Sequence, residues 1–208
     1  MRTLISLLAT GLLAASSIIA NAQSGYEVAG YEVLESPLRT ENPDKIEVVE
    51  FFWYGCPHCF RFEPYIKEWK KNKPDNVEFI NAAPPLNPAW KLHSQAFYAA
   101  QVLGVLDQFH EPMFTAIHVD KKRMRKPKDV GKLVDALGLD AEKFLKTMKS
   151  FNVDAKIRQS LQLASNAGLN SVPTVIINGK YRTSGSIAGS YENLISVLND
   201  LVTKESAQ

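Results

Sequence analysis

The chain has 208 residues, 45% of them hydrophobic, with 24 Lys and Arg against 22 Asp and Glu for a net charge of +2. That length suits one domain, or one domain with a large insertion, and is enough to bury a core. The near balance of charge singles out no class of partner, and the sequence shows no internal repeat and no low-complexity segment, so a repeat array is excluded.

Arg2, the apolar residues 4–15 and the small-x-small triplet Ala20-Asn21-Ala22 read as an export signal cleaved after Ala22, with Gln23 the first mature residue. The apolar stretch is too short and too loosely apolar for a strong membrane span. With no other long apolar run, the mature chain is expected to be soluble. Export places it in an oxidising compartment, where disulfides persist.

Residues 23–45 look irregular, apart from a short strand near Tyr31-Glu32-Val33-Leu34. Residues 46–53 read as a buried strand. Cys56 opens a helix that runs through Lys70, with a kink expected at Pro64. Residues 77–82 are a second core strand, and Ala83-Pro84-Pro85-Leu86-Asn87-Pro88 then breaks the pattern. Residues 89–167 read as consecutive helices: Trp90, Ala96, Phe97, Ala100 and Leu103 recur at helical spacing, as do Val130, Leu133, Val134 and Leu137 before Gly138. Asp140 is the expected N-cap of a helix over 141–150, and a further helix covers 153–167. Residues 174–177 form a strand, Asn178-Gly179 a two-residue hairpin turn, and 180–183 the returning strand. Ser190 caps a last helix whose apolar face is Tyr191, Leu194, Ile195, Leu198, Leu201 and Val202. The order is βαβ, a block of helices, then αββα. The basic run Lys121-Lys122-Arg123-Met124-Arg125-Lys126 reads as a solvated loop rather than a nucleic-acid site, because the chain is exported.

The chemistry gathers at Cys56-Pro57-His58-Cys59, which holds the only two cysteines. A Cys-x-x-Cys at a strand-to-helix junction is first a redox motif. A structural staple fits poorly, since closing so short a loop removes only on the order of 2 kcal/mol of unfolded-chain entropy. A zinc module lacks two further ligands, because His93, His110 and His118 do not have the H-x₃₋₅-H spacing. His93, His110 and His118 read as helix residues, satisfied in the core or solvated, and Trp90 and Tyr98 as packing residues.

A helix N-terminus offers unpaired N–H groups and a partial positive charge. Cys56 falls about at the N-cap and Pro57 at N1, where a proline costs nothing. A Cys56 thiolate is therefore stabilised, with His58 adding charge or a donor. Cys59 lies one turn on, within bridging reach and less exposed. Stabilising the thiolate stabilises the dithiol and makes the disulfide an oxidant.

Ile46, Val48, Glu50 and Phe52 share one strand face. Glu50 among them is expected to be desolvated, with a raised pKa, and to exchange a proton with Cys59; the alternative is a solvated or salt-bridged glutamate. Pro173, taken alone, reads as a trans proline at a strand start.

The assembled pattern resembles the DsbA family of periplasmic thiol:disulfide oxidases. The resemblance is carried by Glu50-Phe51-Phe52, Cys56-Pro57-His58-Cys59-Phe60, Phe62-Glu63, and Val172-Pro173 leading into Asn178-Gly179-Lys180-Tyr181, and it covers nearly the whole mature chain. It implies an α/β thioredoxin fold, a central mixed sheet flanked by helices, with an inserted all-helical subdomain. Residues 23–87 and 153–208 would be the two parts of the thioredoxin-like domain, and 88–152 the insertion. It implies that Cys56 is the attacked sulfur and Cys59 the one expelled, that Pro173 is a cis proline packed against the disulfide, and that Val172 offers backbone hydrogen bonds to substrate. In related isomerases and reductases the residue before this proline is often Thr, so Val172 leans towards an oxidase. The implied partners are reduced, unfolded or folding exported proteins and a DsbB-type quinone-linked membrane oxidase. No cofactor, metal or nucleic acid is implied, and the chain is expected to act as a monomer. One departure stands out: Gly55, with Trp53 and Tyr54 upstream, occupies a position that is aromatic in some members.

The nearest rival is a disulfide isomerase or reductase on the same fold. A dimeric isomerase is disfavoured, because only some twenty irregular residues precede the first core strand. A holdase chaperone is the rival from another class, and it would not need Cys56.

Overall fold

A computed structural model of the chain describes residues 30–207, so the export signal and its cleavage site lie outside the described residues. Five strands form one mixed sheet: β1 (Glu32–Val33), β2 (Ile46–Phe51), β3 (Val77–Ala82), β4 (Thr174–Ile177) and β5 (Tyr181–Thr183), in the order β1-β5-β4-β2-β3. β2 pairs parallel with β3 and antiparallel with β4. All six residues of β2 are buried, which is why Ile46-Glu47-Val48-Val49-Glu50-Phe51 reads as a nearly continuous run.

The parallel β2–β3 pair needs a crossover, and α1 (Pro57–Asn72) supplies it. Pro57 stands in its first turn and Lys70 and Lys71 in its last, as the helix dipole favours. Cys59, Phe62, Ile66 and Trp69 recur at three or four residues and form its buried face. Pro64 lies inside the helix without ending it.

A 3₁₀ turn at Pro88–Trp90 leads into α2 (Lys91–Val102), α3 (Leu106–His118), α4 (Pro127–Ala136), α5 (Ala141–Thr147) and α6 (Phe151–Asn166). Phe97, Phe109, Met113, Phe114, Val130 and Phe144 form their common core, and Phe52, Tyr54, Cys56 and Cys59 belong to the same cluster. Each such aromatic contributes about 1.5–3 kcal/mol relative to exposure. The core of the helical block thus runs without a break into the redox motif. On the other side, Val48, Phe62, Ile66, Val175 and Ile177 pack on Leu194, Leu198 and Leu201 of α8 (Tyr191–Ser206). α6 touches both regions: Val153 and Ile157 sit in the helical core, and Ala164 packs beside Val49, Phe51 and Ile176 of the sheet.

Local signals explain most boundaries. Asp140 accepts from the Lys143 N–H and Ser190 from the Asn193 N–H, as N-caps should. Asn178 and Gly179 both have positive φ, +48° and +63°, as the two-residue hairpin requires. A Cβ on Gly179 would also lie 2.2 Å from the Leu38 carbonyl oxygen. Some expected bounds shift. The first long strand ends at Phe51 rather than residue 53, because Trp53 and Tyr54 turn into the helical core. The helix expected over 141–150 stops at Thr147, and the next starts at Phe151, since Ser150 caps it by accepting from the Val153 N–H. A short helix α7 (Gly185–Ala188), capped by Ser184, was not expected.

Candidate active site

Cys56 is the N-cap of α1, in extended conformation at φ −83° and ψ 117°, and Cys59 lies one turn inside. Cys56 is 7% exposed and Cys59 not at all. The Cys56 thiol is lowered from 9.0 to about 6. The largest cause is a hydrogen bond from the Cys59 thiol; burial opposes it, and the N–H groups of Cys59 and His58 and the His58 imidazole add to it. The helix terminus and His58 thus contribute as expected, but the partner thiol contributes most. Cys59 goes the other way, pushed well above the ordinary thiol range by burial, by its bond to Cys56 and by the Glu50 charge.

The Cys56 Sγ–H donates to the Val172 carbonyl at 3.4 Å. The Val172–Pro173 peptide bond is cis, which overturns the trans expectation from Pro173 alone and agrees with the resemblance. A groove of about 590 Å³ lies beside the motif, lined by His58, Arg61, Val172, Pro173, Ser186 and Tyr191 among others. His58 is exposed, with Nδ1 3.0 Å from the Arg61 guanidinium, and its carbonyl accepts from the Tyr191 hydroxyl.

Glu50 is fully buried on β2. Its register partner on β3 is Asn81, whose amide donates to Oε2 at 2.9 Å, while Oε1 has no partner. Burial, then the Glu63 charge, push the Glu50 carboxyl from 4.5 up to about 8, against smaller opposing effects of Lys70 and Asn81. The solvated and salt-bridged alternatives for Glu50 are therefore replaced by a desolvated acid that is protonated near neutral pH.

The histidines read as ordinary helix residues from sequence converge on this region. His110 donates from Nε2 to Glu63 at 3.0 Å, and its Nδ1 lies 2.9 Å from the Tyr54 hydroxyl. Burial raises the Glu63 carboxyl, but the His110 hydrogen bond and charge outweigh it and hold the carboxyl low. His118 donates to the Tyr54 carbonyl at 2.8 Å and stacks on Phe60. His93 bonds the Met124 carbonyl and stacks on Trp53. Their partners lie 31 to 64 residues away in sequence, so no local signal could have marked them.

Gly55 has a steric reason. The Trp53 indole folds back over it, stacked on Trp90 at 4.5 Å and 6°, and a Cβ on Gly55 would stand 2.2 Å from the ring. The aromatic surface beside Cys56 is thus supplied from two residues upstream. Gly55→Ala is expected to drive the indole off Trp90 and cost about 1–3 kcal/mol, read by denaturant unfolding.

A pair of sulfurs of opposite acidity, one at a helix N-terminus and one buried a turn behind it, serves one kind of reaction, the exchange of a disulfide for two thiols. On this sheet, with this cis proline beside it, it defines a thioredoxin-fold thiol:disulfide oxidoreductase. The model of the DSBA-like thioredoxin domain matches residues 90–195. The chain is 37% identical to the thiol:disulfide interchange protein DsbA of Pseudomonas aeruginosa, over 97% of each chain, and 35% identical to that of Burkholderia cepacia, over 97% and 96%. It superimposes on the crystal structure of Pseudomonas aeruginosa DsbA with a TM-score of 0.82 at 37% identity, covering 86% of this chain and 94% of that one. The oxidoreductase DsbA from Xylella fastidiosa follows at 0.80 and 26% identity, over 86% and 96%. The chain belongs to the DsbA family, and it is a thiol:disulfide oxidoreductase.

Proposed function

We propose that the chain is a periplasmic dithiol oxidase that donates a Cys56–Cys59 disulfide to exported proteins as they fold. One observation carries this reading: Cys56 ionises at about 6 while Cys59 is pushed up and buried. A client thiolate attacks Cys56 Sγ, the Cys56–Cys59 bond breaks, and Cys59 leaves as a thiolate. Glu50, protonated near neutral pH, returns a proton to it. The client's second thiolate then attacks the client sulfur of the mixed disulfide and expels Cys56 as a stabilised thiolate. Two electrons pass from the client dithiol to the enzyme, and a DsbB-type quinone-linked membrane oxidase takes them up.

Pro57 sets the helix start that aims the N–H groups of His58 and Cys59 at Cys56, and His58 adds its charge there. Once Cys56 is ionised or bonded to a client, it no longer donates to Val172, whose carbonyl is free to accept an N–H from an extended client segment lying along Val172 and Pro173. The relatives are named for thiol:disulfide interchange, which supports protein clients. Cleavage after Ala22 would release a monomer, and no helix among the described residues is long and apolar enough to cross a membrane.

The test is the reduction potential against a glutathione buffer, with thiolate absorbance titrated on the same sample. The expected result is a midpoint near 6 and a potential well above the glutathione pool. A midpoint in the ordinary thiol range with a potential at or below that pool would support a monomeric reductase or isomerase instead.

A further inference from the structure

The loop between α3 and α4 carries a feature that disulfide exchange does not use. Residues 119–136 hold seven Lys and Arg against three Asp, net +4 in a chain of net +2, so the rest of the chain is net negative. Lys122, Arg123, Arg125 and Lys126 of the loop, with Lys128 and Lys132 of α4, surround a cavity of about 690 Å³. Its lining is largely apolar and includes Met124, Leu133 and Ala136. Lys122 pairs with Asp120, but Arg123, Arg125, Lys128 and Lys132 make no ion pair with another described residue.

The loop is fixed rather than loose. Met124 is buried at φ +40°, and its carbonyl accepts from His93 Nε2 at 2.9 Å. The same His93 ring stacks on Trp53, whose carbonyl accepts the Cys56 N–H. Three contacts therefore join the wall of the cavity to the residue that carries the attacked sulfur.

We propose that this cationic cavity is a second docking site for client polypeptides, and that it takes an acidic segment near the reacting cysteine. The proposal rests on the dithiol-oxidase reading. A flat anionic bilayer would meet the cationic heads but leave the concavity and its apolar lining unfilled. An extended segment bearing carboxylates and an apolar side chain fills both. Bringing such a segment to unpaired cations raises the encounter rate and weakens with salt.

The test compares two dithiol peptides of equal length, one with Asp and Glu throughout the stretch about three to nine residues from its first cysteine and one with Ser and Asn there. The enzymes are the oxidised full mature chain and its R123Q/R125Q/K132Q variant. The expected result is a kcat/KM about tenfold higher for the acidic peptide at low salt. The variant should lose that preference while oxidising dithiothreitol at the wild-type rate. Equal kcat/KM for the two peptides would overturn the proposal, as would a preference that survives in the variant. Binding of the wild type alone to phosphatidylglycerol vesicles, without peptide preference, would overturn it in favour of a lipid surface. Failure to oxidise any dithiol, dithiothreitol included, would overturn the oxidase reading and this inference with it.

Discussion

Replacing Cys59 by serine is expected to leave the enzyme trapped on its client, joined through Cys56, whereas the Cys56→Ser protein forms no adduct. With a disulfide-bonded peptide at pH 7, the Cys56 thiolate attacks one client sulfur and releases the other. No second enzyme thiol remains to resolve the product, and acid quenching stops the released client thiol from reversing it, so mass spectrometry detects the adduct. In the wild type Cys56, ionising at about 6, is about 90% thiolate at that pH, and serine at position 59 keeps part of that advantage. Cys59 is fully buried and stays protonated. The two single-cysteine proteins should differ by at least about tenfold in adduct formation, since Cys56 keeps part of its lowered value and Cys59 is both raised and fully buried. Comparable rates would exclude the assignment of Cys56 as the attacking and attacked sulfur. A third variant separates the causes: Cys59→Ala removes the thiol that contributes most to the low Cys56 value, so the Cys56 midpoint should climb back towards 9, while serine, with its own O–H, should preserve part of the shift.

Glu50→Gln should produce a more stable and slower enzyme. In the unfolded chain Glu50 ionises near 4.5, and in the fold at about 8. Between those values the folded state keeps a proton that the unfolded state has lost, so rising pH favours unfolding. The contribution is full below about 4.5, falls by about 1.4 kcal/mol per pH unit, and levels off above about 8. By pH 7 it has cost on the order of 3 kcal/mol. Glutamine does not titrate, so the variant should match the wild type near pH 4.5 and exceed it by that amount at pH 7. Denaturant unfolding of the oxidised proteins checks this, since neither cysteine titrates in that form. Curves that stay parallel from pH 5 to pH 8 would rule out the buried acid. In stopped-flow thiol exchange, the step that expels Cys59 should slow about 100-fold, as expected when a general acid is lost.

What the sequence revealed, and what it hid, follows the range of the forces involved. β2, α1, the hairpin at Asn178-Gly179 and the caps at Asp140 and Ser190 depend on residues within one turn or one strand, and all were legible. Glu50 was legible as well, because an acid on the inward face of an apolar strand has nowhere to be solvated. The isomer of Pro173 was not legible in its own neighbourhood; only the resemblance suggested cis, since tertiary packing selects it. The ladder from Tyr54 through His110 to Glu63 was hidden, because helix periodicity says which face is buried and nothing about what it meets. The rank of causes at Cys56 was hidden for a related reason: the helix N-terminus is visible in the spacing, while the bond between two thiols depends on their placement in space.

The stacked indoles of Trp53 and Trp90 also make the chain its own optical gauge. Of its three tryptophans, Trp69 is remote, bonded to Asn199 on α8, so the pair beside Cys56 dominates any signal that changes with the sulfurs. Two parallel rings at 4.5 Å couple their electronic transitions, and one of them belongs to the residue whose carbonyl holds the Cys56 amide. Emission and near-ultraviolet dichroism from this dimer of chromophores can therefore track oxidation, client capture and release in real time, with no label attached.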